Sequence, residues 1–206
     1  MNGTSIIETS HLIDDNSVQL DTSEDELSVI NKGTGGGGKN TNKNGLSYEE
    51  LTDLKSHSKI VLKCNDYKVI KFNDSETIFI QVNKIKLHKY MKNKNELNLN
   101  IDIGHGCKQP DECYLNEEKK TIFIIEKKFQ QRSGSVCEKL QTAPFKIQNF
   151  KELFPNYQIH YIYCLSDWFK DNCKREITYL QEMNVPVFWG NDSEYKKNII
   201  QFILQN

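Results

Sequence analysis

The fold of this chain is decided by one stretch, Thr121-Ile122-Phe123-Ile124-Ile125-Glu126-Lys127-Lys128. Its apolar run, from 121 to 125, is rich in β-branched side chains, which indicates a strand covered on both faces. Charged residues follow the run directly. Because side chains alternate along a strand, we expect Glu126 and Lys128 to emerge on one face and Lys127 on the other.

The segment before this run predicts the other strand of an antiparallel hairpin. The hairpin runs from about 111 to 116, turns at 117–120 and returns from 121 to 129. A four-residue turn sets the register so that paired positions sum to 237, which places Asp111 opposite Glu126. Two carboxylates in directly opposed positions repel each other unless a cation lies between them.

This pair of acids predicts a metal-dependent catalytic site. Two carboxylates, water and a phosphate oxygen form the hard oxygen shell that Mg²⁺ prefers. We therefore predict that Asp111 and Glu126 bind Mg²⁺, with one or two ions per site. The metal is expected to polarise a phosphate and lower the pKa of a bound water, while Lys128 orients that water and neutralises developing charge.

The pattern Pro110-Asp111 followed by Glu126-Lys127-Lys128 resembles the signature of the PD-(D/E)XK nuclease superfamily. The resemblance implies an α/β fold in which helices flank a mixed sheet, with a restriction-endonuclease-like core. Members often carry a metal-supporting glutamate on a preceding helix, in a Gly-x-x-aromatic-Glu context. Gly45-Leu46-Ser47-Tyr48-Glu49 matches that context, so Glu49 is a further candidate catalytic residue and metal ligand. Glu50 is its alternative, and an ordinary solvated helix surface remains open for both.

Two longer segments resemble type II restriction endonucleases within that superfamily. They are residues 126–142, which include Glu126-Lys127-Lys128-Phe129-Gln130-Gln131, and residues 40–46, Asn40-Thr41-Asn42-Lys43-Asn44-Gly45-Leu46. The resemblances span about 33 to 154. They imply Mg²⁺-dependent, sequence-specific cleavage of double-stranded DNA to 5′-phosphate and 3′-hydroxyl ends, often by a homodimer, with a cognate DNA methyltransferase in the same system. Cys137 departs from the acid expected at its position.

Polar residues in two segments are candidate DNA contacts. The glycine-rich run 33–38 leads into the first, which we interpret as a mobile loop that approaches phosphates, with a plain linker as the alternative. The second follows the catalytic strand, where Gln and Arg suit base edges and loop solvation is an equal explanation. The candidates are Lys39, Asn40, Asn42, Lys43 and Asn44 in the first segment, and Gln130, Gln131, Arg132, Ser133, Ser135 and Lys139 in the second.

Charge divides the chain into two parts. Residues 1–31 contain seven acids and no Lys or Arg, so the net charge of -1 separates into -7 there and +6 over the remainder. We expect residues 1–32 to form an irregular acidic arm. Residues 33–206 are expected to form a single nuclease domain, whose basic character permits binding to nucleic acid.

The remaining elements follow from periodicity and turn residues. We predict a helix over 46–57 and a first hairpin over 68–72 and 77–82, then a lysine- and asparagine-rich loop before the motif. After the motif, helices and strands alternate, which favours parallel pairing. The predicted order is helix 136–153, kinked or split at Pro144, strand 159–165, helix 173–183, strand 185–189 and helix 193–204.

The N-terminal residues lack a basic and apolar leader, and no apolar run reaches the roughly 18 residues of a membrane span. We therefore expect a cytoplasmic protein, whose six scattered cysteines are free thiols.

Two other functions remain open at this stage. One is a DNA repair or junction-resolving nuclease of the same fold, and the other is a non-catalytic DNA-binding module. The module explains the sequence less well, because binding alone gives no reason to crowd two acids.

Overall fold

The computed structural model describes residues 39–82, 86–104, 109–132 and 135–206, with side chains from residue 43 onward. The predicted acidic arm, residues 1–32, lies outside these ranges.

In the described part of the chain, seven strands form one mixed sheet whose spatial order follows the sequence. The strands are β1 (Ser58–Lys63), β2 (Tyr67–Phe72), β3 (Ile78–Val82), β4 (Glu112–Asn116), β5 (Thr121–Lys128), β6 (Gln158–Leu165) and β7 (Val187–Trp189). Neighbouring strands from β1 to β5 are antiparallel, whereas β5, β6 and β7 are parallel. The predicted α/β class, a mixed sheet flanked by helices, is confirmed.

In chain order within the described ranges, one helix precedes the strands, one lies between β3 and β4, and the others follow β5. The helices are α1 (Lys39–Leu51), α2 (Leu87–Asn93), α3 (Val136–Leu140), α4 (Ala143–Leu153), α5 (Trp168–Asn172), α6 (Lys174–Glu182) and α7 (Tyr195–Gln205), with a 3₁₀ turn at Lys55–His57. Pro144 separates α3 from α4 as predicted, since it lies in the first turn of α4. A proline there costs no helical hydrogen bond.

Two apolar clusters cover the two faces of the sheet. Ile122 and Ile124 of β5 belong to one cluster, together with buried residues of α2 and α4. Phe123 and Ile125 belong to the other, together with Tyr48 of α1 and residues of α7. The alternation confirms that β5 is buried on both faces, as its continuous apolar run predicts.

The predicted helix over 46–57 was wrong in its bounds. α1 begins at Lys39 and ends at Leu51, and a 3₁₀ turn follows it. Residues 39–44, expected in a mobile loop, therefore form the first turns of a helix. Tyr48 and Leu54 are both buried in the core, so tertiary packing fixes this segment despite its weak helical propensity.

The sequence interpretation missed β1 and α2. β1 is an edge strand whose Ile60, Val61 and Leu62 are all more than half exposed, so it has no alternation of buried and exposed positions to detect. α2 buries Leu87 and Tyr90 at helical spacing, but it lies in the lysine- and asparagine-rich segment that we expected to be a loop.

The prediction that every cysteine is a free thiol was also wrong. Cys137 at the start of α3 and Cys173, between α5 and α6, form a disulfide that closes 36 residues of sequence separation. Their sulfurs and a Glu176 carboxylate oxygen lie within 4.8 Å of one another. The disulfide commits both sulfurs to each other, so this cluster offers no thiolate ligands to a metal. Cys64, Cys113 and Cys164 are free.

Candidate active site

The β4–β5 hairpin brings the predicted acids together at the carboxyl end of β5. Glu112 pairs with Ile125 and Asn116 pairs with Thr121, which confirms the predicted register. Asp111 immediately precedes β4, and its Oδ2 accepts a hydrogen bond of 2.7 Å from the Lys127 backbone N–H. This bond fixes the Asp111 carboxylate against the strand that carries Glu126.

Lys128 lies between the two acids. Its Nζ is 2.6 Å from Glu126 Oε1 and 3.9 Å from Asp111 Oδ2. The side chains are 16% exposed for Asp111, 12% for Glu126 and 21% for Lys128, so the site is enclosed but reachable. The ammonium group offsets the repulsion between two carboxylates that the register forces together.

A lysine that the sequence interpretation missed completes this arrangement. Lys146 of α4 places its Nζ 3.1 Å from the same oxygen, Glu126 Oε1, and is itself only 13% exposed. Its position depends on α4 packing over the face of the sheet that carries Glu126. No spacing rule relates a lysine two residues after Pro144 to the motif, so the sequence alone did not indicate Lys146.

Burial and neighbouring charges shift the two acids in opposite directions. Burial raises the pKa of Asp111, Lys128 lowers it in part, and the negative charges of Glu126 and Glu49 raise it further, so the net shift is upward. Burial also raises the pKa of Glu126, but Lys128 and Lys146 lower it by more, and its net shift is downward. Glu126 is thus held ionised. A cation bound next to Asp111 would favour the ionised form of that carboxylate and so oppose the upward shift of its pKa.

α1 brings a third carboxylate to the site. Glu49 is half-buried and interacts electrostatically with Asp111, whereas its neighbour Glu50 is exposed. The Glu49 backbone carbonyl accepts a hydrogen bond of 3.2 Å from Lys127 Nζ. Of the two glutamates left open by the sequence, the structure therefore brings Glu49 to the predicted site.

The donor set fits Mg²⁺ better than a softer metal. Asp111, Glu126 and Glu49 offer carboxylate oxygens, which are the hard ligands that Mg²⁺ takes up. Their three formal negative charges exceed the two positive charges of Lys128 and Lys146 by one. The described site residues therefore leave a net negative charge for a cation to neutralise.

The candidate DNA contacts divide into described and undescribed positions. Lys43 and Asn44 of α1 are exposed, while the side chains of Lys39, Asn40 and Asn42 lie outside the described part of the structure. Ser133 also lies outside it. Among the candidates after β5, the exposed residues are Gln131, Arg132, Ser135 and Lys139.

Gln130 differs from these exposed residues because its polar groups are bonded within the protein. Its N–H donates to Ser166 Oγ at 3.1 Å, its carbonyl accepts from that hydroxyl at 3.1 Å, and its side-chain amide donates to the Arg132 carbonyl at 2.7 Å. The two bonds to Ser166 anchor the segment after β5 to the residue that follows β6, so Gln130 shapes the segment next to the catalytic strand.

Among the described helices, none combines the length and apolar character that crossing a membrane requires. Comparison with known proteins gives no match to this chain among protein-family models, curated proteins or solved structures.

Proposed function

We propose that this chain is a Mg²⁺-dependent endonuclease of the type II restriction class, which hydrolyses phosphodiester bonds of double-stranded DNA. The observation that carries the proposal is the placement of the Lys128 ammonium between Asp111 and Glu126, at the carboxyl end of a strand buried on both faces. A buried acid pair that needs lysines to offset its charge has little structural purpose, because an apolar pair would cost less to bury.

In this function, Asp111, Glu126 and Glu49 would hold Mg²⁺, which would supply positive charge to polarise the scissile phosphate and to favour ionisation of the attacking water. Lys128 donates a hydrogen bond toward that water and neutralises charge that develops on the phosphate oxygens. Lys146 maintains Glu126 in its ionised form. The water oxygen bonds to phosphorus and loses a proton to solvent, while the bond between phosphorus and the 3′ oxygen breaks and solvent protonates that oxygen, which gives 5′-phosphate and 3′-hydroxyl ends.

DNA binding rests on the charge of the chain outside its first 31 residues, which is +6. Lys43, Arg132 and Lys139 are exposed on the segments before and after the hairpin, where phosphate contacts would position the duplex. A palindromic site read by a homodimer, and a cognate DNA methyltransferase that protects host DNA, complete the proposal.

Cleavage of unmethylated phage DNA tests this function. We expect discrete bands in Mg²⁺ and none in EDTA, and we expect neither Asp111→Asn nor Lys128→Ala to give them under conditions in which the wild type just completes digestion. Lys119→Ala is the matched control, because Lys119 is an exposed lysine in the turn of the same hairpin, at the end away from the acids. Its band pattern should equal that of the wild type.

The same experiment separates the alternatives. Cutting of branched DNA alone would instead identify a repair or junction-resolving nuclease. If the wild type and both variants bind DNA but none of them cleaves it, both enzymatic proposals are contradicted. The remaining function is then a DNA-binding module.

A further inference from the structure

A buried ion pair lies on the opposite side of the β4–β5 hairpin from the acids. Lys127 Nζ is 2.7 Å from Glu112 Oε2, and the two side chains are 3% and 6% exposed. The pair shares its face of the sheet with Tyr114 and Ile125, which belong to an apolar cluster. Replacing such a pair by apolar residues is often neutral or stabilising, so stability alone explains it poorly.

Both members of the pair also bond to the segment that carries Glu49. Lys127 Nζ donates to the Glu49 carbonyl at 3.2 Å. Glu112 Oε1 accepts from the Leu54 backbone N–H at 3.3 Å and from the Tyr114 hydroxyl. The pair therefore ties the end of α1 and the residues just after it to β4 and β5 at once.

The bond from Lys127 fixes the backbone of Glu49, whose carboxylate interacts electrostatically with Asp111. Asp111 directly precedes Glu112, and Lys127 lies between Glu126 and Lys128. One ion pair thus connects neighbours of every predicted metal ligand. Small displacements of α1 relative to the hairpin would move Glu49 away from Asp111 and Glu126, although all three carboxylates would still be present.

We propose that Lys127 and Glu112 are positioning residues that hold α1 so that the Glu49 carboxylate completes the metal-binding group with Asp111 and Glu126. The inference rests on the proposed function, since it assumes that the three acids bind a divalent cation. Lys127, the middle residue of the Glu126-Lys127-Lys128 motif, thereby has a role. The sequence predicted only that it lies on the face of β5 opposite Glu126 and Lys128.

Mn²⁺ binding to the full chain, followed by electron paramagnetic resonance, tests the inference without DNA cleavage. Mn²⁺ takes the same oxygen ligands as Mg²⁺. Lys127→Met alone leaves Glu112 buried and unpaired, so the informative variant is Lys127→Met with Glu112→Gln, which removes both charges. We expect this variant to bind Mn²⁺ about tenfold more weakly, the effect typical of residues that orient ligands.

Combination with Glu49→Gln distinguishes positioning from general damage. If the pair acts through Glu49, adding Glu49→Gln to the charge-free variant should weaken Mn²⁺ binding no further. Lys120→Met is the matched control, because Lys120 forms a 2.9 Å ion pair with Glu96 near the turn end of the hairpin. We expect its Mn²⁺ affinity to equal that of the wild type.

Three results would overturn the inference. They are wild-type Mn²⁺ affinity in a folded charge-free variant, additive losses with Glu49→Gln, and an equal loss in Lys120→Met. Failure of the proposed function gives a different pattern. In that case the wild type either binds no Mn²⁺ or binds Mn²⁺ that Asp111→Asn does not remove. The predicted metal site is then absent, and the inference is wrong as well.

Discussion

Glu126 has two ammonium groups on a single carboxylate oxygen, and their surroundings differ. Lys128 lies near both acids, with its Nζ 3.9 Å from Asp111 Oδ2, whereas Lys146 approaches from α4. We expect Lys128→Met to slow cleavage by about 10²–10³-fold, the usual effect of losing a transition-state donor. Lys146→Met should slow it only about tenfold, because it removes support for Glu126.

Single-turnover cleavage at saturating Mg²⁺ measures both lysine effects. Equal losses in the two variants would contradict the distinction and indicate that Lys146 contacts the reacting phosphate. Lys151→Met is a suitable control for general loss of positive charge, since Lys151 is exposed on α4, the helix that carries Lys146.

Gly190 determines how closely α1 approaches the sheet. A Cβ added at Gly190 would overlap the Tyr48 hydroxyl and the Thr52 methyl group. Gly190→Ala should therefore destabilise the protein by about 1–3 kcal/mol, the range for overpacking a core. Gly45→Ala is the matched control within α1, because an added Cβ there meets nothing within 4 Å.

Urea denaturation measures the two glycine variants. Gly45→Ala should stabilise the protein by about 0.5–1 kcal/mol, since alanine loses less conformational entropy in a helix. Equal destabilisation by both variants would contradict the close packing of Tyr48 against Gly190.

At the scale of elements, the sequence predicts what is encoded locally. The β4–β5 hairpin was predictable to within about a residue, because a continuous apolar run and a four-residue turn fix both strands and their register. Glu126 and Lys128 followed from the alternation of side chains after that run, and Asp111 followed from the register. Lys146 was not predictable, because its place depends on how α4 packs over β5.

The first turns of α1 illustrate a second limit. Asparagine and glycine make up four of the seven residues from 39 to 45, and both favour turns and loops more than a helix interior. Tyr48 and Leu54 are buried and anchor the following turns to the sheet, so tertiary contacts override the local preference. Such contacts between distant elements are not encoded in local spacing.

The Cys137–Cys173 disulfide joins α3 to the boundary between α5 and α6. Closing 36 residues of sequence restricts the unfolded chain, so its loss should cost about 2–4 kcal/mol of stability. We expect dithiothreitol to lower the melting temperature of the wild type. The Cys137→Ser, Cys173→Ser double variant should melt at that lower temperature with or without dithiothreitol, and continued sensitivity would assign the effect to another cysteine.

At the scale of the whole molecule, one half-buried histidine packs into each of the two apolar layers that cover the sheet. His88 of α2 lies against Phe154, with ring centroids 5.8 Å apart, and His160 of β6 stacks on Phe123 at 5.1 Å. Burial lowers the pKa of both from the ordinary value of 6.5. Folding therefore favours their neutral form on both faces of the sheet.

This burial makes stability depend on pH near neutrality. Below about pH 6.5 the unfolded chain binds protons at both histidines, whereas the folded protein resists protonation until its lower pKa values are reached. The stabilisation is thus fully present above pH 6.5 and is lost as the pH falls. Glu126 and Glu117 have lowered pKa values, so their contributions are lost only below their ordinary value of 4.5.

We expect the urea midpoint of the wild type to fall between pH 7.5 and 5.5, and the His88→Leu, His160→Phe double variant to show roughly half that fall or less. Comparison of the two proteins cancels the opposite titration of Asp111, whose pKa is raised and which both retain. Each single variant should remove part of the slope, because the histidines lie in separate layers and titrate independently. An unchanged slope in the double variant would show that neither histidine stays neutral on folding, and that the pH dependence arises from other groups.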